Sequence, residues 1–109
     1  MATKHPKIIV VDYEPMVRRT FSEYLTVLGY NSDVAVNGLD AIEKLNARTY
    51  GIVLTDMIMP EMDGMQLLAH IGEHFPEVDV IVVSGYTEKY TYSEIIRAGA
   101  IDFIAKPTK

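Results

Sequence analysis

The sequence predicts an α/β domain: a doubly wound, parallel five-stranded sheet with helices on both faces. Three observations carry this. Short apolar runs alternate with segments of helical periodicity along the chain, the pattern of a βα repeat. The 109 residues suffice for one core and not for two. Asp12, Asp56, Ser84 and Lys106 each fall directly after an apolar run, and sites in such sheets form outside the carboxyl ends of the strands.

Residues 7–11, with Ile8-Ile9-Val10-Val11, read as a buried strand. Met16, Val17, Phe21, Leu25 and Leu28 then recur at helical spacing, and Gly29 is a natural stop. Residues 31–36 alternate polar and apolar through Val34 and Val36, as a shorter or edge strand does. Residues 40–47 set Ile42 and Leu45 on one helical face, and residues 52–55 are a buried strand. Over 65–75, Leu67, Leu68 and Ile71 mark a helix that Pro76 ends. Residues 78–83 read as strand, 88–98 as a helix with Ile95 and Ile96 closed by Gly99, and 101–105 as the last strand. A doubly wound sheet takes one more helix there. The chain stops at Lys109, so residues 1–109 read as a domain truncated before its closing fifth helix. Apolar surface near the first and fifth strands is then expected to be exposed, or covered by dimerising or swapping.

Composition narrows the function classes. The chain is 49% hydrophobic and 23% charged, an ordinary globular balance. It has no cysteine, which excludes disulfides, thiolate metal sites and cysteine nucleophiles. Its net charge of −5 argues against direct nucleic-acid binding, which needs clustered Lys and Arg. No apolar run approaches the roughly 20 residues of a membrane span. The start, Met1-Ala2-Thr3-Lys4-His5-Pro6, is polar and unlike a signal peptide. A soluble cytoplasmic protein is expected.

Asp56 is the most informative residue. It lies in Val53-Leu54-Thr55-Asp56-Met57-Ile58-Met59-Pro60-Glu61-Met62-Asp63-Gly64, at the mouth of the expected sheet. With Asp12, Ser84 and Lys106 it makes an acidic pocket holding one hydroxyl and one ammonium. A carboxylate attacking an anionic phosphorus centre needs its charge screened. Lys106 can neutralise one oxygen as a compact point charge, and the Ser84 hydroxyl can donate to another. Each residue alone has a plainer reading. Asp12 can cap a helix, Ser84 can sit in a turn, Lys106 can be a solvated surface charge and Phe103 can be core. Only the set points to chemistry. Met57, Met59, Met62 and Met65 read as apolar filling rather than a cofactor box. His70 and His74 stand at the i,i+4 spacing that can bind metal, but neither they nor His5 have a third ligand at matching spacing, so exposed surface is expected. Tyr90 and Tyr92 are expected on the fourth helix, open to a partner.

These residues resemble the receiver domain of two-component response regulators, the family that includes the chemotaxis regulator. The resemblance rests on Ile9-Val10-Val11-Asp12, the Asp56-to-Gly64 motif, Val83-Ser84-Gly85, and Gly99-Ala100 followed by Phe103 and Lys106-Pro107. It covers nearly the whole chain and implies a flavodoxin-like receiver fold. It implies Asp56 as phosphoacceptor, Ser84 as the hydroxyl binding a phosphoryl oxygen, Lys106 as the ammonium, and Phe103 as an aromatic switch beside Ser84. It implies Mg²⁺ held by Asp12, Asp56 and the backbone carbonyl of Ile58, and a cis peptide before Pro107. It further implies a bacterial, cytoplasmic phosphoprotein of a phosphorelay. Its partners would be a histidine kinase or phosphotransfer protein, an effector domain in a longer protein, and a second copy as a homodimer. It would not be an enzyme beyond self-phosphorylation and dephosphorylation.

One departure counts against the metal. The family usually has two adjacent acids after the first strand, the second a direct ligand; here that position is Tyr13, followed by Glu14. A phenol is a poor ligand for a hard cation that wants carboxylate oxygens. Glu14 is the remaining acid for that role. Tyr13 therefore motivates a second reading, a receiver that no longer takes phosphate and serves as an interaction module. A third is a haloacid-dehalogenase-like hydrolase, which wants Asp-x-Asp after the first strand where this chain has Asp12-Tyr13-Glu14. Nucleotide binding is unsupported, because no Gly-rich phosphate loop follows the first strand.

Overall fold

The computed structural model describes residues 6–85 and 90–106. In chain order the elements are β1 (Ile8–Val11), α1 (Pro15–Val27), β2 (Ser32–Ala35), α2 (Gly38–Ala47), β3 (Ile52–Thr55), α3 (Gly64–His74), β4 (Asp79–Ser84), α4 (Tyr92–Arg97) and β5 (Asp102–Ala105). All four strand pairs are parallel, in the order β2-β1-β3-β4-β5. This is the predicted doubly wound sheet, with the polar–apolar alternating segment at one edge.

Strand parity divides the core. Ile9, Val11, Val53, Val80 and Val82 face Ala41, Leu45, Leu67, Leu68, Ile71 and Ile95 of α2, α3 and α4. Met57 and Met59 are buried there, with Met62 and Met65 packed alongside, as apolar filling. On the opposite face Ile8 and Val10 meet Leu25 and Phe21 of α1, the one helix covering that face among the described residues. The expected exposure is therefore found on β5, where Ile104 is 46% exposed, and not on β1, where Ile8 and Val10 are buried under α1. Met16 and Leu28, expected on the apolar face of the first helix, are exposed. Nine residues at 100° each place Met16 about 180° around the helix from Leu25, and Leu28 is the C-cap.

Boundaries follow the caps rather than the apolar spacing. The Asn37 side chain accepts from the Asp40 N–H, so α2 starts two residues before the predicted Asp40. A reciprocal capping box between Thr91 and Glu94 starts α4 at Tyr92. The predicted helix began at Glu88, which lies outside the described residues; Tyr90, half-buried, precedes the helix. Ser84 is the last residue of β4, paired in register with Ala105, rather than the first after it.

Edge strand β2 is tied down by a charge cluster. The buried Tyr50 hydroxyl donates to Asp33 Oδ2, which also lies 3.3 Å from Arg48 Nη1 and 3.7 Å from Lys7 Nζ. The Tyr50 hydrogen bond, aided by Lys7 and Arg48, holds the Asp33 carboxyl below its ordinary value against the effect of burial. Burial and then Asp33 push the Tyr50 phenol up to about 12. A lowered carboxylate stabilises above its unfolded pKa and loses that contribution as pH falls. A raised phenol stabilises below its unfolded pKa of about 10 and loses that contribution as pH rises through about 12. Tyr50→Phe is therefore expected to cost about 1–2 kcal/mol in urea unfolding at neutral pH. The gap from the parent should close as pH rises past about 10; a gap that persisted there would show that the phenol proton is not what holds Asp33.

Candidate functional site

The carboxyl edge of the sheet gathers the predicted residues. Asp12 follows β1, Asp56 follows β3, Ser84 ends β4 and Lys106 follows β5. The sheet's hydrogen bonding runs one residue past three of these strands. Asp12 N donates to Ala35 O, Asp56 N to Val11 O and Lys106 N to Ser84 O at 3.2, 2.9 and 2.7 Å. The chemistry-bearing side chains thus hang from the ladder rather than from loose loop.

Asp12, Asp56 and Ser84 are buried, with exposures of 2%, 9% and 1%. Lys106 reaches between the acids, its Nζ 2.9 Å from Asp12 Oδ2 and 3.2 Å from Asp56 Oδ2. The remaining oxygens are taken by the backbone. Glu14 N–H donates to Asp12 Oδ1 at 2.9 Å, and Met57 N–H donates to Asp56 Oδ1 at 2.7 Å. Burial, and then the Asp12 charge, push the Asp56 carboxyl above its ordinary value despite Lys106 and the Met57 N–H. Burial works to lower the Lys106 ammonium, but Asp12 and Asp56 together hold it above its ordinary value. Ser84 Oγ is buried without a hydrogen-bond partner among the described residues. An unmet buried hydroxyl costs about 1–3 kcal/mol.

A cavity of about 360 Å³ opens over this group, lined by Tyr13, Glu14, Asp56, Ile58, Ser84, Gly85 and Lys106. Asp12 is not on its wall but is paired with Lys106, which is. Ile58 lines the cavity while its side chain is largely exposed. Phe103 is half-buried on β5, and the Tyr92 ring meets it edge-on with centroids 6.0 Å apart. The expected cis peptide before Pro107 lies outside the described residues.

Arg18 had no part in the sequence reading. Its Nη1 donates to the carbonyl oxygens of Asp12 and Tyr13 at 2.8 and 3.1 Å, fixing the turn that carries the first acid. Its signal was available: α1 opens with no acid in its first turn and a cation soon after, against the helix dipole. His70 and His74 stack on each other at 4.1 Å on α3, away from this site.

A parallel 2-1-3-4-5 sheet with an acid–acid–lysine pocket at its carboxyl edge is the flavodoxin-like receiver architecture. Residues 8–109 match the model of the response regulator receiver domain, and the chain belongs to that family. Relatives include the probable C4-dicarboxylate response regulator DctR of Bacillus subtilis, 33% identical over all of this chain and 49% of that protein. The regulatory protein AtoC of Escherichia coli is 36% identical over 93% of this chain and 22% of its own length. The chain thus spans half or less of these relatives. Among solved structures, a response regulator receiver protein from Pseudomonas putida superposes with a TM-score of 0.89 at 27% identity, covering all of this chain and 91% of that one. The response regulator TrrA of Thermotoga maritima, in complex with Mg²⁺ and BeF, superposes at 0.85 with 28% identity, covering 96% of this chain and 90% of that one.

Receiver domains generally bind Mg²⁺ at the phosphorylation site. The donors here do not fit that ion unaided. Among the described residues no three acidic or histidine side chains converge for a metal. Glu14, the expected substitute, is exposed on the cavity rim and is not gathered with Asp12 and Asp56. It starts a helix, where its backbone N–H rather than its carboxylate is turned to Asp12. Among the described residues no helix is long and apolar enough to cross a membrane.

Proposed function

We propose that this domain is a signalling switch that accepts a phosphoryl group on Asp56 from a partner histidine kinase or phosphotransfer protein. The observation that carries the reading is Ser84 Oγ, buried and without a partner among the described residues, on the wall of the cavity that Asp56 and Lys106 also line. A carboxylate oxygen of Asp56 would form the new bond to phosphorus as the bond to the donor breaks, and the departing group would keep that electron pair. The transferred group carries a charge of about −1.5 to −2. Lys106 would leave its bridge between the acids to neutralise one phosphoryl oxygen, and Ser84 would donate to another. Ser84 is paired with Ala105, and Phe103 lies two residues before that partner. Movement of the hydroxyl would thus reach the β5–α4 surface where Phe103 and Tyr92 meet. Phosphorylation would bias that surface between two populations.

On this reading it would be a phosphoacceptor rather than an enzyme with a separate substrate, acting in the bacterial cytoplasm with its kinase. In a longer protein it would govern an effector unit. The test is intact mass after incubation with acetyl phosphate, with and without Mg²⁺. One phosphoryl adduct is expected, and it should be absent from Asp56→Asn. Tyr13 favours a second reading, a phosphate-independent interaction module. A folded chain that never takes the adduct would select it.

A further inference from the structure

A sheet that does not close on itself leaves two edges, and β2 is one of them here. Such an edge offers unpaired N–H and C=O groups to any extended strand, including one from another copy of the same chain. The bonds to β1 fix which groups of β2 face outward. Ile8 N–H donates to Asn31 O, and Asp12 N–H donates to Ala35 O. Backbone groups alternate sides along a strand, so Ser32, Val34 and Val36 turn theirs away from β1.

Two side chains of α2 meet that outer edge. Lys44 Nζ donates to Val34 O at 2.6 Å, and Val36 N–H donates to Asp40 Oδ2 at 2.9 Å. Lys44 Nζ and Asp40 Oδ2 lie 3.3 Å apart, which links the two backbone groups through one ion pair. In a parallel ladder, one residue of a neighbouring strand gives its N–H to a carbonyl and accepts the N–H two residues further on. The Lys44 ammonium takes the place of that N–H, and the Asp40 carboxylate takes the place of that C=O. The pair therefore fills one rung of a further strand without supplying the strand. Exposed ion pairs contribute little by themselves; what distinguishes this one is its two backbone partners.

We propose that Asp40 and Lys44 guard the outer edge of β2, keeping a second copy of this chain from adding its own β2 there. A two-fold axis beside an edge strand pairs that strand with itself, antiparallel, and joins two sheets into one. Side-chain charge does little to prevent this, because the one charged residue of Ser32–Ala35 is Asp33, already matched by Lys7 and Arg48. The guard is independent of whether Asp56 takes phosphate.

The experiment compares the native chain with Asp40→Ala/Lys44→Ala by sedimentation equilibrium over one concentration series. Losing one acid and one base leaves the net charge at −5, and alanine is the best helix former, so colloidal repulsion and α2 are both kept. The double variant should dimerise at least about tenfold more tightly than the native chain. Adding Val36→Pro should return it to native behaviour. Proline removes the freed N–H, and Ala35 before it is already in a strand, the conformation a residue preceding proline prefers. Equal association of the native chain and the double variant overturns the proposal. So does tighter association that Val36→Pro leaves in place, because the contact then lies elsewhere. Amide exchange on the native chain decides the matter even if the double variant fails to fold. Val36 is 43% exposed, yet its amide should exchange at least about tenfold more slowly than an unbonded one; exchange at the unbonded rate overturns the guard.

Discussion

Asp56→Asn should abolish phosphoryl labelling and at the same time make the protein more stable at neutral pH. The first effect follows from removing the attacking oxygen. The second follows from what the native carboxylate endures. Asp56 is 9% exposed, beside the second buried acid Asp12, and burial raises its pKa. A carboxyl raised in the folded state favours folding in its protonated form. That contribution is complete below the unfolded value of about 3.9 and is lost as pH rises through the folded value. Ionising the buried group beside Asp12 is a cost. Asparagine removes the charge, keeps nearly the same shape, and leaves Lys106 paired with Asp12 at 2.9 Å. A gain of about 1 kcal/mol is expected, or roughly 4–8 °C in Tm for a domain of this size. The advantage should fade in acid, where both side chains are neutral. A variant less stable than its parent at pH 7 would mean that the Lys106 bridge outweighs the cost of burial.

Gly64→Ala should cause the largest loss of stability of any single methyl addition in the chain. Gly64 opens α3, and its N–H donates to Met57 O at 2.7 Å. A Cβ there would lie 2.5 Å from Asp56 O and 2.8 Å from Met57 Cα. Both are backbone atoms, which cannot rotate aside as a side-chain tip can. The loop would have to move, taking the Asp56–Met57 peptide with it. Overpacking costs about 1–3 kcal/mol and sometimes more, and the better helix propensity of alanine returns less than about 1. A net loss of about 2–3 kcal/mol is expected by urea unfolding, with acetyl phosphate labelling also slowed, because the displaced peptide carries Met57 N–H, the donor to Asp56 Oδ1. By contrast Gly72→Ala, where nothing lies within 4 Å, should be neutral or slightly stabilising. Equal effects at the two positions would show that helix propensity, not close approach, governs both.

The fold was legible because strand burial is written as continuous runs. Ile8-Ile9-Val10-Val11 is buried on both faces, and no other arrangement of so short an apolar run is as satisfactory. The site was legible because its members stand at strand ends, so topology alone brings residues far apart in sequence to one edge. What stayed hidden is contact made by polar side chains, with backbone or with one another. Neither the Arg18 grip on two carbonyls nor the Tyr50–Asp33 bond leaves a periodic trace. Apolar spacing puts the start of α4 too early, because the Thr91–Glu94 cap sets it at Tyr92. The role of Gly64 depends on a carbonyl eight residues earlier, a distance that only the turned chain reveals.

The ladder bonds that end at Asp12, Asp56 and Lys106 bear on how such a site withstands change around it. Local opening in a domain ranges from nearly free fraying to events as costly as global unfolding, and central strands sit at the costly end. Asp12 and Asp56, anchored to the inner strands β1 and β3, are thus expected to disperse only when the domain itself unfolds, whereas Lys106 hangs from the edge strand β5. The rim residues Tyr13, Glu14 and Ile58 carry no such obligation. Variation there can retune which partner docks, or how readily an ion enters, while the reacting groups keep their spacing.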